Sequence, residues 1–241
     1  MSSLRLWVLV ACTLLPAVGR PAAAALRAGA ATVDITPARP AALWGQMHTR
    51  VSTGVASPIT ATVLVLDSDA GGVTTLVACD LVAIPEDALA AIRKRVAESV
   101  PDVPVDRIVT SATHTHTAPV LLEGVYEIPP GVTGPGEYVE FLAARVAEGI
   151  REAWASRGPC TVGWGMGHAV VAHNRRSVYA DNTAVMYGAT DRADFRMIEG
   201  YEDHALDALF VWNEAGDLLA TAIDVACPSP STSWAGQATS I

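Results

Sequence analysis

Lysine is nearly absent from this chain. Of its 16 basic residues only Lys94 is a lysine, and the heavy use of arginine and alanine indicates a GC-rich, bacterial genome. Acidic residues outnumber basic ones, which gives a formal net charge of −9. Such a surplus of negative charge opposes electrostatic binding to nucleic acid and to anionic membranes. We therefore expect no nucleic-acid partner.

The chain also lacks an apolar run long enough to cross a membrane as a helix. The most apolar run, LWVLVACTLLPAV at residues 6–18, is short and is interrupted by Pro16. It follows Arg5 and precedes a stretch of small residues, which is the arrangement of a secretory signal peptide. We predict a signal peptide over residues 1–25 and an exported protein, secreted or periplasmic. The alternative is a lipoprotein signal acylated at Cys12, which the very short apolar stretch before that cysteine disfavours.

Cysteine is scarce as well. Removal of the predicted signal peptide leaves Cys79, Cys160 and Cys227. An odd number of cysteines in an oxidising compartment leaves at least one thiol outside a disulfide. Each of the three lies in an apolar strand-like or turn segment, so a buried, inert thiol is the default expectation for each.

Strand and helix patterns predict an α/β fold with mixed β-sheet layers flanked by helices. Two β-branched runs, 60–66 and 73–79, flank the turn DSDAGG and predict a hairpin. An amphipathic helix beginning near Pro85 and a following strand complete a βαβ unit, which favours parallel pairing. A second amphipathic helix lies within residues 136–158, and a last hairpin turns at NEAG. With no linker in view, we predict one domain over residues 26–241.

Two histidines stand out in SATHTHTAP, residues 111–119. Positions i and i+2 of a strand face the same side, so His114 and His116 would project together. Two neutral imidazoles that converge in this way make good metal ligands. The alternative, imidazoles capping backbone groups at a polar strand end, is equally compatible with the local pattern. Three threonines flank the rings and are candidate partners that fix their tautomers: Thr113, Thr115 and Thr117.

Two further polar groups are candidates for the same site. Asp80 ends a buried strand and would lie beside the histidines if the two strands are neighbours, although the local pattern favours a cap on the helix near Pro85. Arg175 and Arg176, in the loop AHNRRS, suit a phosphate, a carboxylate or a polarised carbonyl oxygen. A solvated turn is the alternative that the local pattern favours for this loop. Three other histidines show no partner pattern and are predicted to be structural: His48, His168 and His204.

In their order along the chain, these segments resemble the neutral, non-lysosomal ceramidases and the bacterial proteins that share their N-terminal domain. The resemblance is carried by AGAATVDITP, LWGQMHTRVSTGVASPITATVLVLD, Asp80, SATHTHTAP, the HNRRS loop and the last hairpin running into ACPS. It extends over nearly all of residues 28–230. SATHTHTAP, against the usual SATHTHSGP of the family, is its most specific part.

The resemblance implies roles for four residues. The family's first motif histidine binds a catalytic zinc and the second lies in the same site, which implies a zinc ligand at His114 and a catalytic or supporting residue at His116. The arginine of the family's Asn-Arg-Ser loop contacts substrate, which implies that role for Arg175, with Arg176 as the alternative. Where the family has its next zinc ligand, a histidine, this chain has Cys227. A thiolate also binds zinc, but it changes the charge of the site and the acidity of a bound water.

The resemblance therefore predicts part of an exported zinc-dependent hydrolase that cleaves an N-acyl amide bond such as that of ceramide. The substrate would be a small-molecule or lipid amide, with contact to a membrane surface through the lipid. The family's other ligands and its key serine follow the last hairpin, so the domain at residues 26–241 is expected to be incomplete at its C-terminus. Two alternatives stay open: a non-catalytic remnant or binding module with this fold, and a metal-dependent hydrolase of a non-ceramide substrate.

Overall fold

The computed structural model describes residues 25–227, so nearly all of the predicted signal peptide and the last residues, 228–241, lie outside the described part. The strands are β1 Leu26–Asp34, β2 Ala42–Leu43, β3 Arg50–Val51, β4 Thr60–Ser68, β5 Gly72–Cys79, β6 Ile108–Ala112, β7 Gly158–His168, β8 Arg176–Tyr179, β9 Ala184–Met186, β10 Phe195–Ile198, β11 Ala205–Asn213 and β12 Leu218–Val225. The helices are α1 Glu86–Ser99 and α2 Pro135–Ala155, with a 3-10 turn at Val105–Arg107. Within residues 25–227, no helix combines the length and the apolar character that crossing a bilayer requires.

Seven strands form the main sheet, in the order β12-β11-β7-β1-β4-β5-β6. Strands β5 and β6 pair in parallel across α1, which confirms the predicted βαβ unit. The other neighbours pair antiparallel, including the predicted hairpins β4–β5 and β11–β12. Two smaller sheets have the orders β10-β8-β9 and β2-β3. The α/β prediction with a mixed sheet and few helices is confirmed.

The two helices cover one face of the main sheet and bury the larger core. Helix α1 carries two acids in its first turn, where they complement the positive end of the helix dipole. Its buried residues Ala88, Ile92 and Val96 recur every four positions and so form one apolar face. Tyr138 of α2 is also buried, and its hydroxyl donates to the carbonyl of Ile35 at 2.8 Å. A smaller cluster built around Ala28, Leu64 and Val211 lies apart from the larger core.

The two halves of the main sheet meet at a short joint. Strand β1 pairs with β4 along its whole length. With β7 it shares two residue pairs, Arg27 with Pro159 and Ala28 with Gly158. The buried carboxylate of Asp67 lies beside this joint and accepts from Arg27 Nη2 at 2.9 Å and from Arg157 Nε at 3.2 Å. The halves β7-β11-β12 and β1-β4-β5-β6 are therefore joined by two backbone pairs, by the ion pairs of Asp67 and by the smaller apolar cluster, in which Val211 comes from the first half and Ala28 and Leu64 from the second.

The buried thiol of Cys79 makes the fold less stable at alkaline pH. Burial, and then the nearby charge of Asp80, raise the pKa of this thiol from 9.0 to about 12. The unfolded chain therefore loses this proton first, and stability must fall as pH rises above about 9. Between about pH 9.5 and about pH 11, we expect the free energy of unfolding to fall by about 1.4 kcal/mol per pH unit more in the wild type than in Cys79→Ala. Urea denaturation over a pH series measures this difference, and equal slopes would contradict the buried-thiol assignment.

Candidate functional site

The two motif histidines lie in a turn beyond the end of a strand. Strand β6 ends at Ala112, so the prediction that both histidines project from a strand is wrong. The backbone turns instead at His114, whose φ of 61° lies in the left-handed region that non-glycine residues seldom adopt. The turn still brings His114 and His116 together, with ring centroids 4.9 Å apart and ring planes at 71°. The juxtaposition that the motif suggested is therefore present, by a different backbone route.

His114 has one ring nitrogen held by the main chain. Its Nδ1 lies 2.8 Å from the carbonyl oxygen of Val82. A carbonyl only accepts, so Nδ1 must carry the hydrogen, and in the neutral ring Nε2 then keeps its lone pair. Histidines that bind metals have this arrangement. The carbonyl of Val82 thus takes the tautomer-fixing role expected of the threonines, while the hydroxyls of Thr115 and Thr117 bond each other at 3.1 Å.

His116 is enclosed by the segment before β3. A Cβ added at Gly45 would lie 2.4 Å from Cγ of His116, and the φ of Gly45 is 101°. Only glycine fits at this position without displacing the imidazole. Behind the turn, the buried Arg50 donates through Nη2 to the carbonyl of His116 and, at 3.0 Å, to that of Trp44. The ring and the main chain of His116 are therefore both restrained by this segment.

The protonation of His116 follows from the same surroundings. Burial lowers its pKa below 6.5, and the neighbouring imidazole of His114 and the charges of Arg50 and Arg175 lower the pKa further. A histidine with a lowered pKa is neutral at neutral pH and has a lone pair available to accept a proton. Arg175 makes the smallest contribution to this shift, so its charge acts on His116 although the two residues are far apart in sequence.

Asp80 lies next to the motif and does not cap the helix. One of its carboxylate oxygens accepts from the backbone N–H and from the hydroxyl of Thr60, both at 2.9 Å. The other accepts from the hydroxyl of Thr113 at 3.4 Å. Helix α1 begins after Pro85 without a side-chain cap. The helix-cap interpretation of Asp80 is therefore wrong, and Asp80 restrains the residue before His114, as the parallel pairing of β5 and β6 requires.

The two adjacent arginines have different partners. Arg175 Nη1 donates to the hydroxyl of Tyr187 at 2.6 Å. Arg176 begins β8 and forms an ion pair with Glu199, with Nε 2.5 Å from Oε2. Of these two arginines, only Arg175 contributes to the lowered pKa of His116. Both arginines line the same cavity, so the role of Arg175, with Arg176 as the alternative, stays a prediction.

Cys227 and Arg175 lie on the wall of one open cavity of about 520 Å³. The Cys227 thiol donates weakly to the carbonyl of Val171 at 3.8 Å. Neither His114 nor His116 is among the residues that line this cavity. Across residues 25–227, no three His, Cys, Asp or Glu side chains are grouped so that they can hold a metal ion. A shared metal site of His114 and Cys227 therefore stays a prediction.

A polar cluster around Glu202 was missed by the sequence reasoning. Its Oε2 lies 3.2 Å from His173 Nδ1 and 3.4 Å from His204 Nε2, and the His204 ring packs edge-on to His168 with centroids 5.3 Å apart. Asn174 N donates to Glu202 Oε1 at 2.8 Å, and this bond is the main reason that the pKa of Glu202 is lowered. His173 and Glu202 also line the cavity. Asn174 and Glu202 are 28 residues apart, and no pattern in the sequence indicates that they pair.

Comparison with known proteins identifies the fold. No protein-family model and no curated protein matches the chain. Neutral ceramidase from Pseudomonas aeruginosa matches in structure with a TM-score of 0.63 and 18% identity, over 83% of this chain and 31% of that one. A ceramidase complexed with C2 matches with a TM-score of 0.60 and 18% identity, over the same shares, 83% and 31%. The chain has a ceramidase-like fold and spans about a third of the length of these proteins, 31%.

Proposed function

We propose that this chain is part of an exported, zinc-dependent hydrolase that cleaves an N-acyl amide bond, as in a lipid amide of the ceramide type. The ceramidase-like fold supports the reaction class. The observation that carries the proposal is the histidine pair at the end of β6, in which Val82 holds Nδ1 of His114 at 2.8 Å and leaves Nε2 with its lone pair. The export signal of this proposal lies in residues outside the described part.

The donor chemistry of this site fits zinc. His114 would bind the ion through Nε2, and Cys227 through its thiolate. A bound zinc ion supplies polarisation of a carbonyl oxygen and a lowered pKa for a water molecule. Catalytic zinc sites use three protein ligands. Because no such group of three exists among residues 25–227, we expect the other ligands of this site outside that range.

His116 and Arg175 would handle the proton and the substrate. A neutral His116, restrained by Gly45 and Arg50, is suited to accept a proton from a nucleophile and to return it to the leaving amine. Arg175 would bind the oxygen of the acyl group, since a guanidinium presents several N–H donors in one plane. Arg175 and Cys227 line one cavity, which supports a role for these two residues at a common site.

Replacing His114 tests the metal assignment. In His114→Ala, purified as its gene encodes it with any sequence beyond Ile241, we expect zinc per chain to fall roughly tenfold or more. Elemental analysis measures the zinc content after dialysis. His168→Ala is the matched control, because His168 packs on another histidine away from the motif, and it should keep its zinc. Equal zinc content in the wild type and His114→Ala would show that His114 is not a ligand.

A non-catalytic binding module with the same fold is the second candidate. The lack of a three-ligand group within the described residues favours it. Hydrolysis assays with N-acyl sphingosine, N-acyl amino acids and simple esters separate the candidates. Turnover of the first substrate supports the ceramidase-like hydrolase, and turnover of the others alone supports a hydrolase of a different substrate. Absence of turnover in the gene's complete product supports the binding module.

A further inference from the structure

We propose that Tyr187 is a positioning residue whose hydroxyl holds the side chain of Arg175 in the direction required to bind an acyl oxygen. This inference rests on the proposed substrate-binding role of Arg175. It names a second residue, 12 positions further along the chain, as part of the same oxygen-binding unit. Tyr187 matches none of the motifs that point to the site.

Three contacts join these two residues. Arg175 Nη1 donates to the Tyr187 hydroxyl at 2.6 Å, and the guanidinium carbon lies 5.2 Å from the centre of the tyrosine ring. The backbone N–H of Tyr187 in turn donates to the carbonyl of Arg175 at 2.7 Å. The side chain and the main chain of each residue are thus both engaged by the other. A hydrogen bond and a ring contact together restrict a guanidinium in both position and orientation.

The backbone of Tyr187 adopts an unfavourable conformation at this contact. Its φ is 55°, in the left-handed region that a bulky residue rarely adopts. The residue is 71% exposed, so burial of the ring does not compensate for the strain. Glycine or asparagine would take this conformation more easily in an ordinary turn. Strained backbone that packing does not explain is concentrated at functional sites, and here the strained residue directs its hydroxyl at Arg175.

The main chain beside Arg175 is held by Asn174, independently of Tyr187. Asn174 Nδ2 donates to the carbonyls of Glu199 at 2.8 Å and Tyr201 at 3.0 Å, and Asn174 N donates to Glu202 at 2.8 Å. These bonds fix where the arginine side chain begins, but they leave its several rotatable bonds free. An exposed arginine would then sample many rotamers. The Tyr187 hydroxyl removes that freedom, which lowers the entropic cost of binding a ligand.

The ligand chemistry follows from the donors that stay available. A guanidinium has five N–H donors, and the bond to Tyr187 uses one of them. The others suit an oxygen that is anionic or strongly polarised, such as a carboxylate or an amide carbonyl. The short fatty acid octanoate is therefore a suitable probe, since it has the carboxylate that hydrolysis of an acyl amide would release.

Side-chain NMR of Arg175 tests the positioning directly and needs no activity. In Tyr187→Phe we expect the Nε–Hε order parameter of Arg175, assigned with Arg175→Lys, to fall from a rigid value to below about 0.6. Tyr138→Phe is the matched control, because it removes a hydroxyl that bonds a backbone carbonyl elsewhere in the fold, and it should leave Arg175 rigid. An Arg175 that is equally ordered in the wild type and Tyr187→Phe, or mobile in both, overturns the proposal.

Octanoate binding then connects positioning to function. By calorimetry we expect Tyr187→Phe to bind octanoate about tenfold more weakly than the wild type, and Tyr187→Phe with Arg175→Gln to bind no more weakly than Arg175→Gln alone. Equal octanoate affinity in the wild type and Tyr187→Phe overturns the positioning role. If instead Arg175→Gln binds as the wild type does, the substrate-binding role of Arg175 in the proposed function fails, and the order parameters still report on the Tyr187 contact.

Discussion

Gly29→Ala is expected to lower the free energy of unfolding by about 3 kcal/mol, because overpacking against main-chain atoms leaves little room for relaxation. A Cβ at Gly29 would lie 2.0 Å from the carbonyl oxygen of Ala153 and 3.0 Å from the backbone nitrogen of Arg157. Both atoms belong to the end of α2 and the residues after it. The added methyl therefore forces the helix away from β1.

Chemical denaturation of Gly29→Ala and of a matched glycine variant measures this effect. Gly158 is the control, since it lies opposite Ala28 in the same sheet and a Cβ there meets no atom within 4 Å. Gly158→Ala should change the free energy of unfolding by less than about 0.5 kcal/mol. Similar stabilities of the two variants would mean that α2 does not approach β1 as closely as the structure shows.

Arg50→Met is expected to destabilise the protein by about 2–3 kcal/mol and to loosen the turn that carries the two histidines. Arg50 Nη2 donates to the carbonyls of both Trp44 and His116 from a largely buried position. Methionine fills a similar volume but leaves both carbonyls without this donor. Burial also lowers the pKa of Arg50, so removing the charge recovers part of the desolvation cost and limits the net loss.

Two substitutions separate the contribution of the guanidinium from that of a general positive charge. Arg50→Lys keeps the charge but has no planar fork to reach two carbonyls, so we expect about half the loss of Arg50→Met. Arg39→Met removes an exposed arginine paired with Glu137 and should cost less than about 1 kcal/mol. Urea denaturation gives the energies, and the imidazole NMR signals of His114 and His116 report on the turn. Unchanged signals in Arg50→Met would show that Arg50 does not restrain it.

Elements with a local signal were predicted well from the sequence. Helix α1 was recognised because Ile92 and Val96 repeat at helical spacing after an acidic first turn, and the hairpin β11–β12 because two apolar runs flank NEAG. The position of β1 in the centre of the sheet was not predicted. Its pairing with β7 joins residues far apart in sequence, and such pairing leaves no periodic pattern in either strand.

In the candidate site too, features with a local sequence signal were predicted and features set by long-range contacts were not. The spacing of His114 and His116 identified the pair, but the left-handed backbone at His114 follows from tertiary contacts that the motif does not encode. The partner of His114 is the main-chain carbonyl of Val82, and a backbone atom has no residue-type signature. Tyr187 was missed for a related reason, since a single tyrosine directly after a short strand is ordinary until its contact with Arg175 is seen.

The short joint between β1 and β7 bears on how the parts of the candidate site are held together. The histidine pair follows β6, on one side of the joint, and Arg175 follows β7, on the other. Two residue pairs, the carboxylate of Asp67 and the apolar cluster of Ala28, Leu64 and Val211 connect the sides there. The placement of Arg175 relative to the histidine pair therefore depends more on side-chain packing across the joint than on the backbone ladder.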